Sequence, residues 1–190
     1  MNMRLLLLCL CLVIQPSMIA EAREVPDGYE LQRLKETDGS ILMPKGWYAT
    51  SSGTPYGWTW SFSKDEPEGF SYATGLRIQL IFDVAKKTGE SREKYVSDFI
   101  EHKRKTVEVL DSCEAQDAGL FMRKCLEVVE STMFRGKVTQ FRVLYSMLWG
   151  KETDMIAVTT FGSPVSEWES VKDISRVMSE FELIGPNFGK

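Results

Sequence analysis

Apolar and polar residues alternate along the second half of this chain in three runs separated by short polar turns. The runs cover residues 120–134, 138–149 and 155–161, and the turns fall at 135–137 and 150–154. Short connections make consecutive strands antiparallel neighbours, so the pattern predicts a three-stranded meander. In the middle run, odd-numbered and even-numbered positions both carry apolar side chains. This favours a sheet that is covered on both faces.

Shorter strands precede the meander, and an amphipathic helix lies on either side of it. Alternation and turn residues predict strands at 40–43, 47–50, 56–62 and 76–84, with loops at 51–55 and 64–69. The result is an expected α+β fold in which helices flank both faces of an antiparallel sheet, an α/β/α sandwich.

The two helices have recognisable start signals. The first is expected to begin after the N-cap Ser91 and to end near Asp111, because apolar residues recur there every three or four positions. The second is expected to begin at Ser166, whose hydroxyl would form a capping box with Glu169. A short edge segment is expected at 181–184.

The N-terminus has the features of a secretory signal. A positive charge at Arg4 precedes the apolar run 5–14, and Ala20-Glu21-Ala22 matches a small-residue cleavage site. The run is too short to span a membrane, which takes about 20 residues. We therefore expect a signal peptide at 1–22 and a single domain at 23–190. The mature protein would be periplasmic or extracellular, without an integral membrane segment.

Export changes how the four cysteines are interpreted. Cys9 and Cys11 would leave with the signal peptide, so Cys113 and Cys125 remain in the mature chain. An even pair in an oxidising compartment favours a disulfide between them. Two separate buried thiols remain the alternative.

The order of elements carries a resemblance to a known family. The turn Pro44-Lys45-Gly46-Trp47 follows a short strand, hairpin strands come next, and then a helix opens with Ser91-Arg92-Glu93-Lys94-Tyr95-Val96. The meander and a second helix follow, and the chain closes on Phe181-Glu182-Leu183. This order resembles the PsbP-like family, which includes exported bacterial proteins of the DcrB type. The resemblance implies an α/β/α sandwich with a binding or assembly role instead of catalysis.

Composition and residue chemistry do not indicate an active site. The net charge of −4 and the pI near 5.2 argue against nucleic acid as a partner. The single histidine, His102, lies among basic residues on the polar part of the first helix, which is typical of a solvated side chain. The acidic groups at 65–68 and 111–117 do not match a calcium loop. We therefore predict no catalytic residues, no metal and no cofactor, with a carboxylate-based hydrolase as a remaining alternative.

Aromatic residues are concentrated between positions 47 and 72. Alternation assigns Trp58, Trp60 and Phe62 to the core face of a strand. Tyr56, Phe70 and Tyr72 lie near loops with glycine and proline, and we predict that they form a partner-binding surface. The sequence thus favours a non-enzymatic exported module that binds a protein partner in the envelope. The alternative is a carrier of a small apolar ligand in a pocket between sheet and helix.

Overall fold

A computed structural model describes residues 24–69 and 71–188 of the chain. The predicted signal peptide and the predicted partner-binding residue Phe70 lie outside the described residues. In chain order the elements are β1 (Tyr29–Leu34), β2 (Gly39–Pro44), β3 (Tyr48–Thr54), β4 (Gly57–Ser63), β5 (Gly75–Phe82), α1 (Val84–Thr88), α2 (Arg92–Thr106), β6 (Glu108–Ala118), β7 (Phe121–Phe134), β8 (Lys137–Gly150), β9 (Met155–Pro164) and α3 (Trp168–Ser179).

Strands β3 to β9 form one antiparallel sheet in the order β3-β4-β5-β9-β8-β7-β6. Consecutive pairing of β7, β8 and β9 confirms the predicted meander. Strands β1 and β2 form a separate hairpin. A single bridge joins Ser40 of this hairpin to Glu182, so the segment predicted at 181–184 closes against β2.

Two clusters of buried side chains lie on the two faces of the large sheet. On one face, Ile41 of β2 and Met178 of α3 pack with Phe62 and Phe161 of the sheet. On the other face, α2 supplies Ile100 to a second cluster with the buried residues of β7 and β8. Helices therefore flank both faces, and the predicted α+β sandwich is confirmed.

The exit of the first helix differs from the prediction. Helix α2 ends at Thr106, and Val107 is already extended, with φ −137° and ψ 163°. The next eleven residues form β6, an edge strand paired with β7. The reason is tertiary: β7 offers a free edge, and the β-branched residues 107 and 109 suit a strand as well as a helix.

The start of the second helix was also predicted wrongly in detail. A 3₁₀ turn, Val165–Glu167, precedes α3, and the N-cap Glu167 makes no side-chain capping bond. The predicted capping box between Ser166 and Glu169 is therefore absent. The face of α3 that packs on the sheet consists of the buried residues Trp168, Val171 and Met178.

Candidate functional site

Helix α2 covers one half of its face of the sheet, and within residues 24–69 and 71–188 it leaves the other half open. Its buried residues Val96 and Ile100 pack against β7 and β8, and among the described residues this cluster includes none from β3 or β4. The open half carries polar side chains from three strands. We call this set the open face: Thr50, Ser52, Thr59, Ser61, Arg77 and Gln79.

Strand register shows that the open face continues the surface beneath α2. Ser61 pairs with Arg77, Arg77 with Thr160, and Thr160 with Tyr145. Directly opposed residues in an antiparallel pair point to the same side of the sheet. Tyr145 belongs to the cluster under α2, so the same side of the sheet changes from an apolar, covered half to a polar, open half.

Tyr72 closes one end of the open face and is half-buried. Ser61 and Arg77 lie close to its hydroxyl, and the Arg77 guanidinium is 5.8 Å from the centre of its ring. Burial raises the pKa of Tyr72 above its ordinary value, although the nearby Arg77 charge opposes that shift. Tyr72 therefore packs onto the open face and shields Ser61, which is buried.

Tyr56 closes the opposite end and is 57% exposed. It lies in the turn between β3 and β4, and the Lys87 ammonium is 4.6 Å from the centre of its ring. Lys87 also donates hydrogen bonds to the carbonyl oxygens of Tyr56 and Phe82. Together with Trp58 and Gln79, these residues line a surface groove of about 540 Å³.

The structure therefore places the two predicted tyrosines at the two ends of β4. Seven strand residues separate the two turns, which corresponds to roughly 20 Å along the strand. The predicted loop at 51–55 is mostly strand, because β3 continues to Thr54. Tyr56 and Tyr72 thus flank one surface without contacting each other, and their role in partner binding stays a prediction.

A hydrogen-bonded network of three side chains lies at the C-terminal end of α2. Lys103 Nζ donates to Glu130 Oε2 at 2.7 Å and to the Tyr145 hydroxyl at 2.7 Å. The Tyr145 hydroxyl donates to Glu130 Oε1 at 2.6 Å. Both carboxylate oxygens of Glu130 are engaged, so the arrangement holds α2 on the sheet. It borders a groove of about 400 Å³ that reaches Tyr72 and Arg77.

Comparison with known proteins adds a resemblance of fold. No family model and no curated protein sequence matches the chain. Among solved structures, the chain is similar to cyanobacterial PsbP from Synechocystis sp. PCC 6803, with 15% identity, a TM-score of 0.49 and coverage of 85% of this chain and 94% of that one. The order of elements in the sequence predicts a resemblance to the same PsbP-like family.

Two further solved structures show the same likeness. The Ran-binding protein Mog1p of Saccharomyces cerevisiae is 12% identical, with a TM-score of 0.47 over 82% of this chain and 95% of that one. LpqN of Mycobacterium tuberculosis, described as involved in cell envelope biogenesis, is 12% identical, with a TM-score of 0.39 over 80% and 87%. At these identities the likeness concerns the fold alone.

The predicted disulfide is present in the structure. Cys113 of β6 and Cys125 of β7 are directly opposed in the register, with 5.0 Å between their Cα atoms, and they are bonded. Cys113 lies on β6, beyond the end of α2, so the bond joins two strands. The bond therefore fastens the edge strand of the seven-stranded sheet to its neighbour.

The remaining candidate chemistry lies on the surface. His102 is exposed on α2. Glu68 pairs with Arg135 at 3.2 Å, and Asp117 pairs with Lys151. Within residues 24–69 and 71–188, no group of three or more histidine, cysteine or acidic side chains is arranged to hold a metal ion. No helix in those residues is long and apolar enough to cross a membrane.

Alkaline pH should destabilise the chain through Tyr145. Burial, followed by the hydrogen bond and charge of Glu130, raises the pKa of Tyr145 above its ordinary value. Above pH of about 10 the unfolded chain releases this proton while the folded chain keeps it. The free energy of unfolding should then fall by up to about 1.4 kcal/mol per pH unit through this group.

Chemical denaturation at several pH values between 8 and 11 measures this effect. Tyr145→Phe should show a shallower alkaline decline than the wild type, whereas Tyr48→Phe, which removes an exposed tyrosine, serves as the control. Equal slopes for Tyr145→Phe and the wild type would contradict the assignment.

Proposed function

We propose that this chain is an exported, non-enzymatic module that binds a protein partner in the envelope through its open face. The observation that carries the proposal is the uncovered half of the sheet between Tyr56 and Tyr72. It presents the exposed hydroxyl of Thr50 and the exposed amide of Gln79 beside the exposed Tyr56, and tyrosine is enriched in protein interfaces. A preformed surface of this kind binds without a large ordering cost.

The neighbouring edge of the sheet supports the same proposal. Strand β3 carries no charged residue, pairs with β4 without a register shift, and is exposed along most of its length. Strand β6, at the other edge, contains four acidic residues and two register shifts. Charges and bulges protect a sheet edge against added strands, so β3 is the edge that remains accessible to an extended segment of a partner.

The packing under α2 favours surface binding over carriage of an apolar ligand at that position. Bulky buried residues, including Met147 and Trp149, fill the cluster between α2 and the sheet. The engaged carboxylate of Glu130 likewise favours a structural role over proton transfer, since Lys103 and Tyr145 hold both of its oxygens.

Site-specific photocrosslinking in the native host tests the proposal. A photoreactive residue at Gln79, exposed at the centre of the open face, should capture one protein reproducibly. The matched control is position 173 on α3, where the Asp173 side chain is 80% exposed on the opposite side of the sheet. The captured protein is then purified, and Tyr56→Ala should weaken its binding by about tenfold.

Two results would contradict this proposal. One is the same set of crosslinked proteins from positions 79 and 173. The other is unchanged affinity of the purified partner for Tyr56→Ala when circular dichroism shows that the variant is folded.

A further inference from the structure

A third groove lies on the face of the sheet opposite the open face. It has a volume of about 350 Å³ and runs between the start of β7 and the segment that follows α3. Seven of its twelve lining residues are apolar, namely Ala118, Leu120, Phe121, Leu148, Phe181, Leu183 and Ile184, and the other five are polar. Leu120 is 72% exposed at its rim, so the groove is open to solvent at that end.

One cation lies among these apolar walls. Arg123 of β7 is half-buried, and its Nε atom donates to the Ser146 hydroxyl at 2.8 Å. Ser146 is itself buried, and its carbonyl oxygen accepts a hydrogen bond from Thr159 at 3.1 Å. The Arg123 side chain therefore lines the groove and is anchored at its Nε atom to β8.

Two neighbouring carboxylates are engaged elsewhere. Glu127 pairs with Arg142, and Asp117 pairs with Lys151. Glu182 lines the groove but is exposed. Among the described residues, no carboxylate is within ion-pair distance of Arg123, whose hydrogen bond to Ser146 leaves its two Nη atoms for another acceptor.

A half-buried guanidinium is stabilised by an anion, and arginine prefers carboxylates because two of its N–H groups match the two oxygens. The apolar walls select a ligand with a hydrocarbon tail. The volume is near the lower limit of roughly 300–1,000 Å³ for small-molecule pockets, which favours a chain of moderate length.

We propose that this groove binds a medium-chain fatty acid, with its carboxylate on Arg123 and its chain along Phe121 and Leu148. This site lies on the face opposite the open face and does not depend on the protein-binding function. Failure of either proposal can therefore be distinguished from failure of the other.

Isothermal titration calorimetry of the mature chain with octanoate tests this site. Octanol, with the same tail and no charge, should bind at least about tenfold more weakly, because a charge-assisted hydrogen bond is lost. Acetate, which has the carboxylate without the tail, should show no measurable binding. Absence of octanoate binding, or equal binding of octanoate and octanol, would overturn the proposal.

Substituting Arg123 tests whether octanoate binds in this groove. Arg123→Met should weaken octanoate binding at least about tenfold and leave octanol binding unchanged. Arg176→Met is the matched control, because it removes an exposed arginine of α3, 78% accessible, and should leave octanoate binding unchanged. Unaltered octanoate affinity in a folded Arg123→Met variant would place the ligand elsewhere and reject this site.

A rim variant tests the same groove if Arg123→Met does not fold. Leu120→Glu changes an exposed side chain and places a negative charge at the mouth of the groove. It should weaken octanoate binding at least about tenfold through lost apolar contact and charge repulsion. Unchanged binding in Leu120→Glu would overturn the proposal.

Discussion

Replacing Lys103 by methionine should lower the free energy of unfolding by about 2–3 kcal/mol. The side chains of Lys103 and Glu130 are 19% and 22% exposed, so the substitution leaves a largely buried carboxylate without its cation. Removing one member of a buried ion pair costs about 3–5 kcal/mol, and partial exposure reduces that value. Methionine keeps the apolar part of the side chain, so the decrease in the free energy of unfolding measures the effect of removing the ammonium group.

Urea denaturation at neutral pH measures this difference, and the chain provides its own control. Lys105 lies two residues further along α2 and pairs with Glu101, but their side chains are 70% and 61% exposed. Lys105→Met should therefore change stability by less than about 0.5 kcal/mol. The double variant Lys103→Met/Glu130→Gln should recover part of the loss, because it removes the unpaired charge. Equal losses for Lys103→Met and Lys105→Met would contradict the structural role assigned to the network.

Replacing Cys113 and Cys125 by serine should lower the free energy of unfolding by about 3 kcal/mol. The two residues are 12 positions apart, and a crosslink that closes a loop of this size restricts the unfolded chain by about that amount. Thermal and urea denaturation of the double variant measure the loss. Since small domains have about 5–15 kcal/mol of stability in total, the effect should be large.

Reduction of the wild-type chain is the control for this substitution. With excess dithiothreitol, the wild type should lose the same stability as the double variant shows, and the double variant should not respond. A wild type whose stability is the same under oxidising and reducing conditions would contradict the expectation.

The meander could be predicted from sequence because its turns are local. Arg135 and Gly136 adopt positive φ values of 45° and 77° in the tight turn between β7 and β8, as a two-residue hairpin turn requires. The end of α2 could not be predicted in this way. Residues 107–110 fit helical and strand periodicity, and only pairing with the distant strand β7 decides between them.

The candidate site was predictable only in part. The exposure of Tyr56 follows from its place in a turn beside proline, whereas the half-burial of Tyr72 depends on contacts with Ser61 and Arg77 from two strands. The polar alternation of β4 and β5 was visible in the sequence. The sequence does not show that these polar residues lie on an uncovered half of the sheet. That depends on the position of α2 over β7 and β8, which is a property of tertiary packing.

The sequence does not indicate that Arg123 lines a binding groove. A single arginine in a strand is typical of a solvated face, and its neighbours in the chain do not mark it as unusual. Its place among apolar walls arises because residues 181–184, almost sixty positions later, fold back beside β7.

The unequal edges of the sheet limit how many strands can be added to it. Because β6 is bulged and acidic while β3 is regular and uncharged, addition can proceed from one side only. If a second molecule of the same chain paired with the first through its own β3, the two outer edges of the joined sheet would both be β6 strands, which resist further pairing. Assembly by this route therefore stops at a pair, and open-ended fibres are blocked by the shape of the subunit.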